Sequence, residues 1–278
     1  MRKSTIGRVA CLYMVMFLLA SCGWQESKTA EEWFDFTWSG LAGIDTLKFK
    51  GQAAVARGQR WSLDEQLGYS GELKDHQKLS MQSTLPSTEA GQDKGQQIEA
   101  AGTSQAQIQL AWNGETWKVA DSQVSALTAG LSRLNPLEQL ESIRRAAKTI
   151  TEEHAAARGT RVLRIQLDPE AAKRVLNKQL VEEMEAVRTG WQRRLQNLSG
   201  GQRKEVESEL EREWSKGRKH LDNMLTACQA ETVYYLTINR NTGLPERMTS
   251  ETRLLYTNTR GIQEQEALLT DSKFEYGK

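Results

Sequence analysis

Two rows of apolar residues between Asp168 and Cys228, set between segments that alternate with period two, limit the folds open to this chain more than any other feature. The first row runs Leu176, Leu180, Met184, Val187, Trp191, Leu195 and Leu198; the second runs Val206, Leu210, Trp214, Leu221, Met224 and Cys228. Steps of three and four place each row on one helix face, and two such rows in succession read as an antiparallel helix pair. Asp168-Pro169-Glu170 suits its start, because Asp offers an acceptor to free N–H groups and Pro fits the first helical turn. At 1.5 Å per residue each arm reaches about 40 Å. Nowhere do strands alternate with single helices as in a parallel-sheet domain.

The flanking segments read as antiparallel sheet. From Thr46, Leu47 and Phe49 alternate with Lys48 and Lys50, and Gly51, Ala53 and Val55 follow. Beyond Arg57-Gly58-Gln59, Trp61, Leu63, Leu67 and Tyr69 alternate again, which predicts a hairpin with one wet face. Leu73 to Leu85 reads as a weaker third strand, and 86–107, rich in Gly, Ser, Gln and Ala, as a long loop. Ile108, Leu110 and Trp112, then Trp117 and Val119, flank Asn113-Gly114, a strong turn signal. A helical stretch is expected over 123–154, its main helix opening at Asn135-Pro136, followed by a strand at 161–167. Strands at 233–238, 244–257 and 262–276 close the chain around Asn241-Thr242-Gly243. Ahead of the sheet, Trp33, Phe34, Trp38, Leu41 and Ile44 mark a helix, for which two uses stay open: packing on the domain, or resting in a lipid interface.

The N-terminus supplies an address. Arg2, Lys3 and Arg8 precede an apolar run from Val9 to Ala20, too short to span a bilayer, and small residues follow. This is the layout of a secretory signal peptide, and Leu19-Ala20-Ser21-Cys22 resembles a bacterial lipobox. The resemblance implies a signal peptide at 1–21, a lipid (with palmitate among its acyl chains) on the Cys22 thiol, and attachment to the outer side of the cytoplasmic membrane. Gly23 would not retain such a protein at the inner membrane of a two-membrane host, which leaves the outer membrane open as a destination; with a single membrane the outer leaflet is the only one. Residues 22–30 read as a tether and 31–278 as one domain bearing the 169–229 hairpin.

Without the leader, 34 of the 37 basic side chains face all 36 acidic ones. A balance near −2 gives no long-range attraction to nucleic acid. Cys11 lies in the leader and Cys22 at its end, so Cys228 is the one thiol left, read as a reactive group, a dimer bridge or, in preference, a small apolar residue in a helix interface. His76, His154 and His220 fall in three elements, none at metal-ligand spacing. Leu198-Ser199-Gly200-Gly201-Gln202-Arg203 matches the signature loop of ABC-transporter ATPases, yet no phosphate-cradling Gly-x-x-x-x-Gly-Lys-Ser/Thr accompanies it. A helix break is the reading kept. Asn197-Leu198-Ser199 fits a glycosylation sequon, discounted for a bacterial lipoprotein. With no Gly-x-Ser-x-Gly elbow either, neither an enzyme nor a cofactor is expected.

Two stretches carry a wider resemblance: Leu41-Ala42-Gly43-Ile44-Asp45-Thr46-Leu47-Lys48-Phe49-Lys50-Gly51 and Leu236-Thr237-Ile238-Asn239-Arg240-Asn241-Thr242-Gly243-Leu244-Pro245. With the lipobox and the element order they resemble the LolA/LolB/LppX-like lipoproteins, Asn239 standing where Asp is usual. The resemblance implies an α+β fold, a curved antiparallel sheet forming a half-open β-barrel covered by helices, whose concave face takes an acyl chain, a lipid or a peptide. The long helical hairpin departs from the small carriers and gives a second reading, a scaffold or sensor that binds an envelope protein partner. Leu47, Phe49, Trp61, Leu63, Trp112, Trp117 and Tyr235 alternate toward one face on separate strands; they form core if helices cover that face tightly, and an apolar ligand cavity if a gap is left.

Overall fold

The computed structural model describes residues 28–58, 62–84, 106–119, 126–154, 156–258 and 260–277. The leader, Cys22 and Trp61 lie outside the described residues, as do nearly all of the expected long loop and the side chain of Leu63.

Among the described residues ten strands form one antiparallel sheet: β1 (Leu47–Arg57), β2 (Ser62–Lys74), β3 (Lys78–Thr84), β4 (Gln107–Trp112), β5 (Trp117–Val119), β6 (Lys148–Glu153), β7 (Thr160–Leu167), β8 (Gln229–Asn239), β9 (Pro245–Thr257) and β10 (Gln263–Tyr276). The spatial order is β5-β4-β3-β2-β1-β10-β9-β8-β7-β6. Each strand therefore pairs with its sequence neighbour except at one place. β5 and β6 do not pair, while β1 and β10, at opposite ends of the domain, pair from Leu47↔Tyr276 to Arg57↔Glu266. The result is a half-barrel, curved and unclosed, whose gap lies between β5 and β6. The two edge strands are short, with 3 and 6 residues, which leaves little free backbone to recruit another chain.

Five helices accompany the described sheet: α1 (Ala30–Ala42), α2 (Ala126–Arg133), α3 (Pro136–Arg145), α4 (Pro169–Leu195) and α5 (Gly200–Ala227). α1 opens on a capping box: the Thr29 hydroxyl accepts from the Glu32 N–H (3.2 Å) and the Glu32 carboxylate from the Thr29 N–H (2.7 Å). Its Trp33, Phe34 and Thr37 are buried, so of the two uses left open by the sequence α1 packs on the body. Arg161 lies 4.8 Å over the Trp33 ring and Lys148 5.7 Å over Phe34. Asn135 caps α3 through its side-chain oxygen to the Leu137 N–H (3.0 Å), with Pro136 next, as expected. Asp168 holds the N-cap position of α4 but makes no side-chain cap bond, contrary to the sequence reading.

Several expectations need correction. The helical stretch ends at Arg145, not at 154. Ala146 is extended (φ −80°, ψ 148°) and the β-branched Thr149-Ile150-Thr151 run becomes edge strand β6, Ile150 buried and both threonines exposed. Leu73 belongs to β2, and the third strand starts only at Lys78, after a turn through Asp75 and His76. The expected strand at 233–238 is longer, beginning at Gln229. Gly200 and Gly201 are the first residues of α5; the break between the long helices lies just before them, at 196–199.

The concave face is packed through a reciprocal arrangement on β1 and β2. Phe49 stands opposite Gly71, and Tyr69 opposite Gly51. A Cβ on Gly71 would meet the Phe49 ring at 2.3 Å, and one on Gly51 the Tyr69 ring at 2.3 Å. Each ring thus lies over the bare backbone of the neighbouring strand, and the two rings meet edge-on at 6.5 Å. Tyr69 reaches across Gly51 to Ser272 on β10, hydroxyl to hydroxyl at 2.7 Å, so one side chain ties three strands together. Burial pushes the Tyr69 phenol up to about 12. The phenol stays protonated in the fold above pH 10, where the unfolded chain loses that proton, so this contribution is present below about pH 10 and is lost as pH rises toward 12.

Gly71→Ala is expected to cost about 1–3 kcal/mol by overpacking, read as a lower urea midpoint. In a Phe49→Leu background the same substitution should cost clearly less, because the ring that it strikes is gone; equal costs in both backgrounds would refute the packing account.

Candidate functional site

The half-barrel has two ends. At one, α1 lies against the β8–β9 turn and borders a cleft that residues of the β2–β3 turn and the β4–β5 hairpin also line. Gly243, at φ +74°, lets the β8–β9 turn approach α1 so closely that a Cβ there would meet the Phe36 ring at 2.4 Å. Asn239, where the resembling family has Asp, supplies the turn's acceptor: its side-chain oxygen takes the N–H groups of Asn241 (3.0 Å) and Thr242 (3.2 Å), and its amide donates to Glu246 (2.9 Å).

A cleft of about 350 Å³ opens between the last turn of α1, α3 and the β4–β5 hairpin. Trp112 and Trp117 stand directly opposite each other on β4 and β5, rings 5.5 Å apart. The Asn113 side chain fixes their turn by accepting from the N–H groups of Glu115 (3.0 Å) and Thr116 (2.8 Å). Trp38, Leu41, Ala42 and Ile44 form the α1 wall, Leu137 the α3 wall and Leu73 the floor. Three polar residues border this lining: Glu141, His76 and Gln77. Glu141 is buried and held by Arg144 at 2.8 Å and Arg145 at 2.5 Å, and Arg144 lies 5.1 Å over the Trp38 ring. His76 pairs with Asp45. Asp75 and His76 both have positive φ (54° and 56°), a two-residue turn in a region that non-glycine residues adopt at a cost. Glu138 accepts from the Trp117 N–H (3.4 Å), and burial raises its carboxyl above the usual range.

The structure brings together only part of the sequence-predicted set. Trp112 and Trp117 line the cleft. Leu47 and Phe49 are wholly buried in the core. Tyr235 is a correction: it is 40% exposed on the convex face, while Tyr234 faces inward. The inward phase of β8 runs Ala230, Thr232, Tyr234, Leu236 and Ile238, and Leu236 and Ile238 were the signal that could have separated the adjacent tyrosines. The α1 wall was missed as a site, although its row was visible.

The opposite end carries a cleft of about 460 Å³ around Cys228, Lys173, Glu170, Glu231 and Arg253. Its charges are largely matched within the protein: Arg253 pairs with Glu251 (2.6 Å) and Glu231 (4.0 Å), and Lys173 donates to the Thr226 carbonyl (2.8 Å). The Cys228 thiol is buried and contacts the Leu225 carbonyl at 3.3 Å. Its burial fits the reading as a small apolar residue, and its place is the C-cap of α5. His154 and His220 are exposed on separate elements. Among the described residues no group of His, Cys, Asp and Glu is placed to hold a metal, and no helix is long and apolar enough to cross a membrane.

Fold and cleft together define an antiparallel half-barrel, helix-covered, with an apolar cleft at one end. No family model and no curated protein matches the chain. It is similar in structure to lipovitellin, from a study of lipid–protein interactions in that protein (TM-score 0.37, 11% identity), over 84% of this chain and a quarter (25%) of lipovitellin's. It is also similar to a LolA superfamily protein from Nitrosomonas europaea (TM-score 0.28, 8% identity, 91% of this chain and 95% of that one). A third likeness is to an outer membrane lipoprotein-sorting protein domain from Vibrio parahaemolyticus (TM-score 0.26, 9% identity, 90% and 94%).

Burial raises the Cys228 thiol above its ordinary value, more than nearby Lys173 lowers it. At pH 8 the folded chain should therefore leave Cys228 unmodified by iodoacetamide over a time in which the urea-unfolded chain is fully alkylated, as read by peptide mass. Equal labelling of both states would contradict this burial.

Proposed function

We propose that this chain is an extracytoplasmic, membrane-tethered protein that binds a hydrophobic ligand, without catalysis, in the cleft between α1, α3 and the β4–β5 hairpin. The observation that carries this reading is the paired Trp112 and Trp117 rings facing Trp38, Leu41 and Ile44 across open space. A concave, mostly apolar site with a few placed polar groups is the usual form of a small-molecule site. At about 350 Å³ it lies near the lower end of the range for such sites, about 300–1,000 Å³. A single acyl chain or similar apolar group suits it better than a two-chain lipid body. Gln77, His76 and the Arg-neutralised Glu141 stand where a ligand's polar end would emerge.

The tether is the second half of the proposal. Lipidated Cys22 would lie seven residues ahead of Thr29, where the capping box starts the folded body. Seven extended residues span at most roughly 25 Å. α1 is therefore both the first described element after Cys22 and a wall of the cleft, which would keep the cleft within a short reach of the lipids.

Ala42 is exposed at the rim of the cleft, so Ala42→Trp should fill the opening without disturbing the core. It is expected to weaken binding of a fluorescent fatty acid by about tenfold or more, about 1.4 kcal/mol, with an unchanged urea midpoint. Unaltered probe binding, together with no lipid co-purifying in native mass spectrometry, would sink the reading. Separately, Cys22→Ser should move the protein out of the detergent-requiring membrane fraction, and continued lipid labelling of that variant would refute the anchor.

A further inference from the structure

The α4–α5 hairpin has a polarised charge pattern that its overall balance conceals. From Glu185 to Glu205 the chain contains Arg188, Arg193, Arg194, Arg203 and Lys204 and no acidic residue between the two glutamates. From Glu205 to Glu213 it contains five glutamates and a single Arg212. The lower part of the hairpin is anchored: α4 packs on β8 and on α2, Arg133 pairs with Glu183 (3.3 Å), and Leu225 is buried. Further out the two helices hold each other. The Trp214 indole donates to the Met184 carbonyl (3.1 Å), and Arg188 stacks over Trp214 (4.4 Å) while pairing with Glu211 (2.6 Å). Arg188 and Arg203 are thus engaged, Arg203 with Glu207 at 3.9 Å. Arg193, Arg194 and Lys204 are exposed and have no ion-pair partner among the described residues. Between them, at the apex, Leu195 is buried to close the hairpin while Leu198 is 41% exposed.

We propose that the tip of this hairpin docks end-on against an anionic lipid surface. Three unpaired cations on the helix ends either side of one exposed leucine combine the two attractions of an interfacial segment, headgroup charge and a shallow apolar insertion. Glu209, Glu211 and Glu213 lie further from the apex, level with Arg188, and their repulsion by the same surface favours contact through the tip over contact along the side. The apex is four residues long, 196–199. That is far too small for a stable protein interface, which takes about 800 Å² per partner, but enough to touch headgroups. The inference is independent of cleft occupancy and of the Cys22 anchor, since the residues that carry it belong to neither.

The test is sedimentation of the full chain with phosphatidylcholine vesicles, with and without phosphatidylglycerol, at low and high salt. Every sample carries Cys22→Ser, so the N-terminal segment is constant and cancels in ratios between variants. Each of Arg193→Gln, Arg194→Gln and Lys204→Gln is expected to lower partitioning onto anionic vesicles about fivefold at low salt, with little effect on neutral vesicles and a smaller effect at high salt. Leu198→Ser should lower binding to both. Lys219→Gln, an exposed charge lower on the same helix, should leave binding unchanged. Undiminished binding by the triple variant, or an equal loss with Lys219→Gln, would overturn the proposal. So would capture by polyglutamate with no preference for anionic vesicles, which would assign the tip to an acidic protein. All substituted positions are exposed, and an unchanged urea midpoint confirms that each variant is folded.

Discussion

The pairing of β1 with β10 is the contact on which the rest of the molecule depends. Eleven residue pairs join strands separated by almost the whole domain, and without them the first and last meanders would be two separate ribbons. Such a contact closes a long loop before it returns any energy, so it needs reinforcement beyond its backbone bonds. The Tyr69–Ser272 contact supplies part of it by crossing β1 at Gly51. Gly51 is thus required twice, to admit the ring and to let the hydroxyl reach β10. The Ser250–Thr270 hydroxyl pair (2.6 Å) ties β9 to β10 in the neighbouring row of the same face.

Because the termini of the sheet meet, its opening is forced elsewhere. The gap falls between β5 and β6, where the chain leaves the sheet through α2 and α3. A helix is thicker than a strand and does not complete the ladder, so the rim next to β5 stays uneven. The cleft is the consequence: α1 and α3 approach the Trp112–Trp117 pair without closing on it. Arg145 donating to the Glu115 carbonyl (2.5 Å) and Glu138 accepting from Trp117 fix the distance between helix and hairpin. The cleft is held open by polar contacts at its edges, while its walls are apolar.

Much of this was legible in the sequence, and the losses have physical causes. Periods of two and of three-to-four located nearly every strand and both long helices, because each has one buried and one wet face. Strand β6 was lost because it carries only one buried residue, Ile150, and follows a true helix without a glycine or proline to mark the change. Tyr235 was placed on the wrong face because alternation cannot choose between adjacent tyrosines until the phase is taken from Leu236 and Ile238. Pairing of β1 with β10 leaves no local trace at all. Leu47 and Phe49 were visible as inward residues, but whether an inward residue ends in core or in a cleft depends on what the helices cover, which no single strand records. The α1 row shows the same limit from the other side: Trp33 and Phe34 are packed away, while Trp38 and Leu41, about one and two turns later, border open space.

The hairpin extends that lesson to charge. Counted over 182–213, acids and bases mix as on any solvated helix pair, and the whole chain is nearly neutral, at +1. Folding antiparallel changes what the count means. It brings the end of α4 and the start of α5 to one apex, so Arg193, Arg194 and Lys204 come to the same end of the hairpin, while Arg188 lies further back beside Glu211. The arginines nearest the stem are consumed by the pair itself, Arg188 on Trp214 and Glu211; those at the apex find no such partner. Net charge governs attraction from far away, but the arrangement of charge governs how a rod stands at a surface. A nearly neutral protein can therefore still have a preferred orientation at a charged surface, set by where its unpaired charges lie and not by their total.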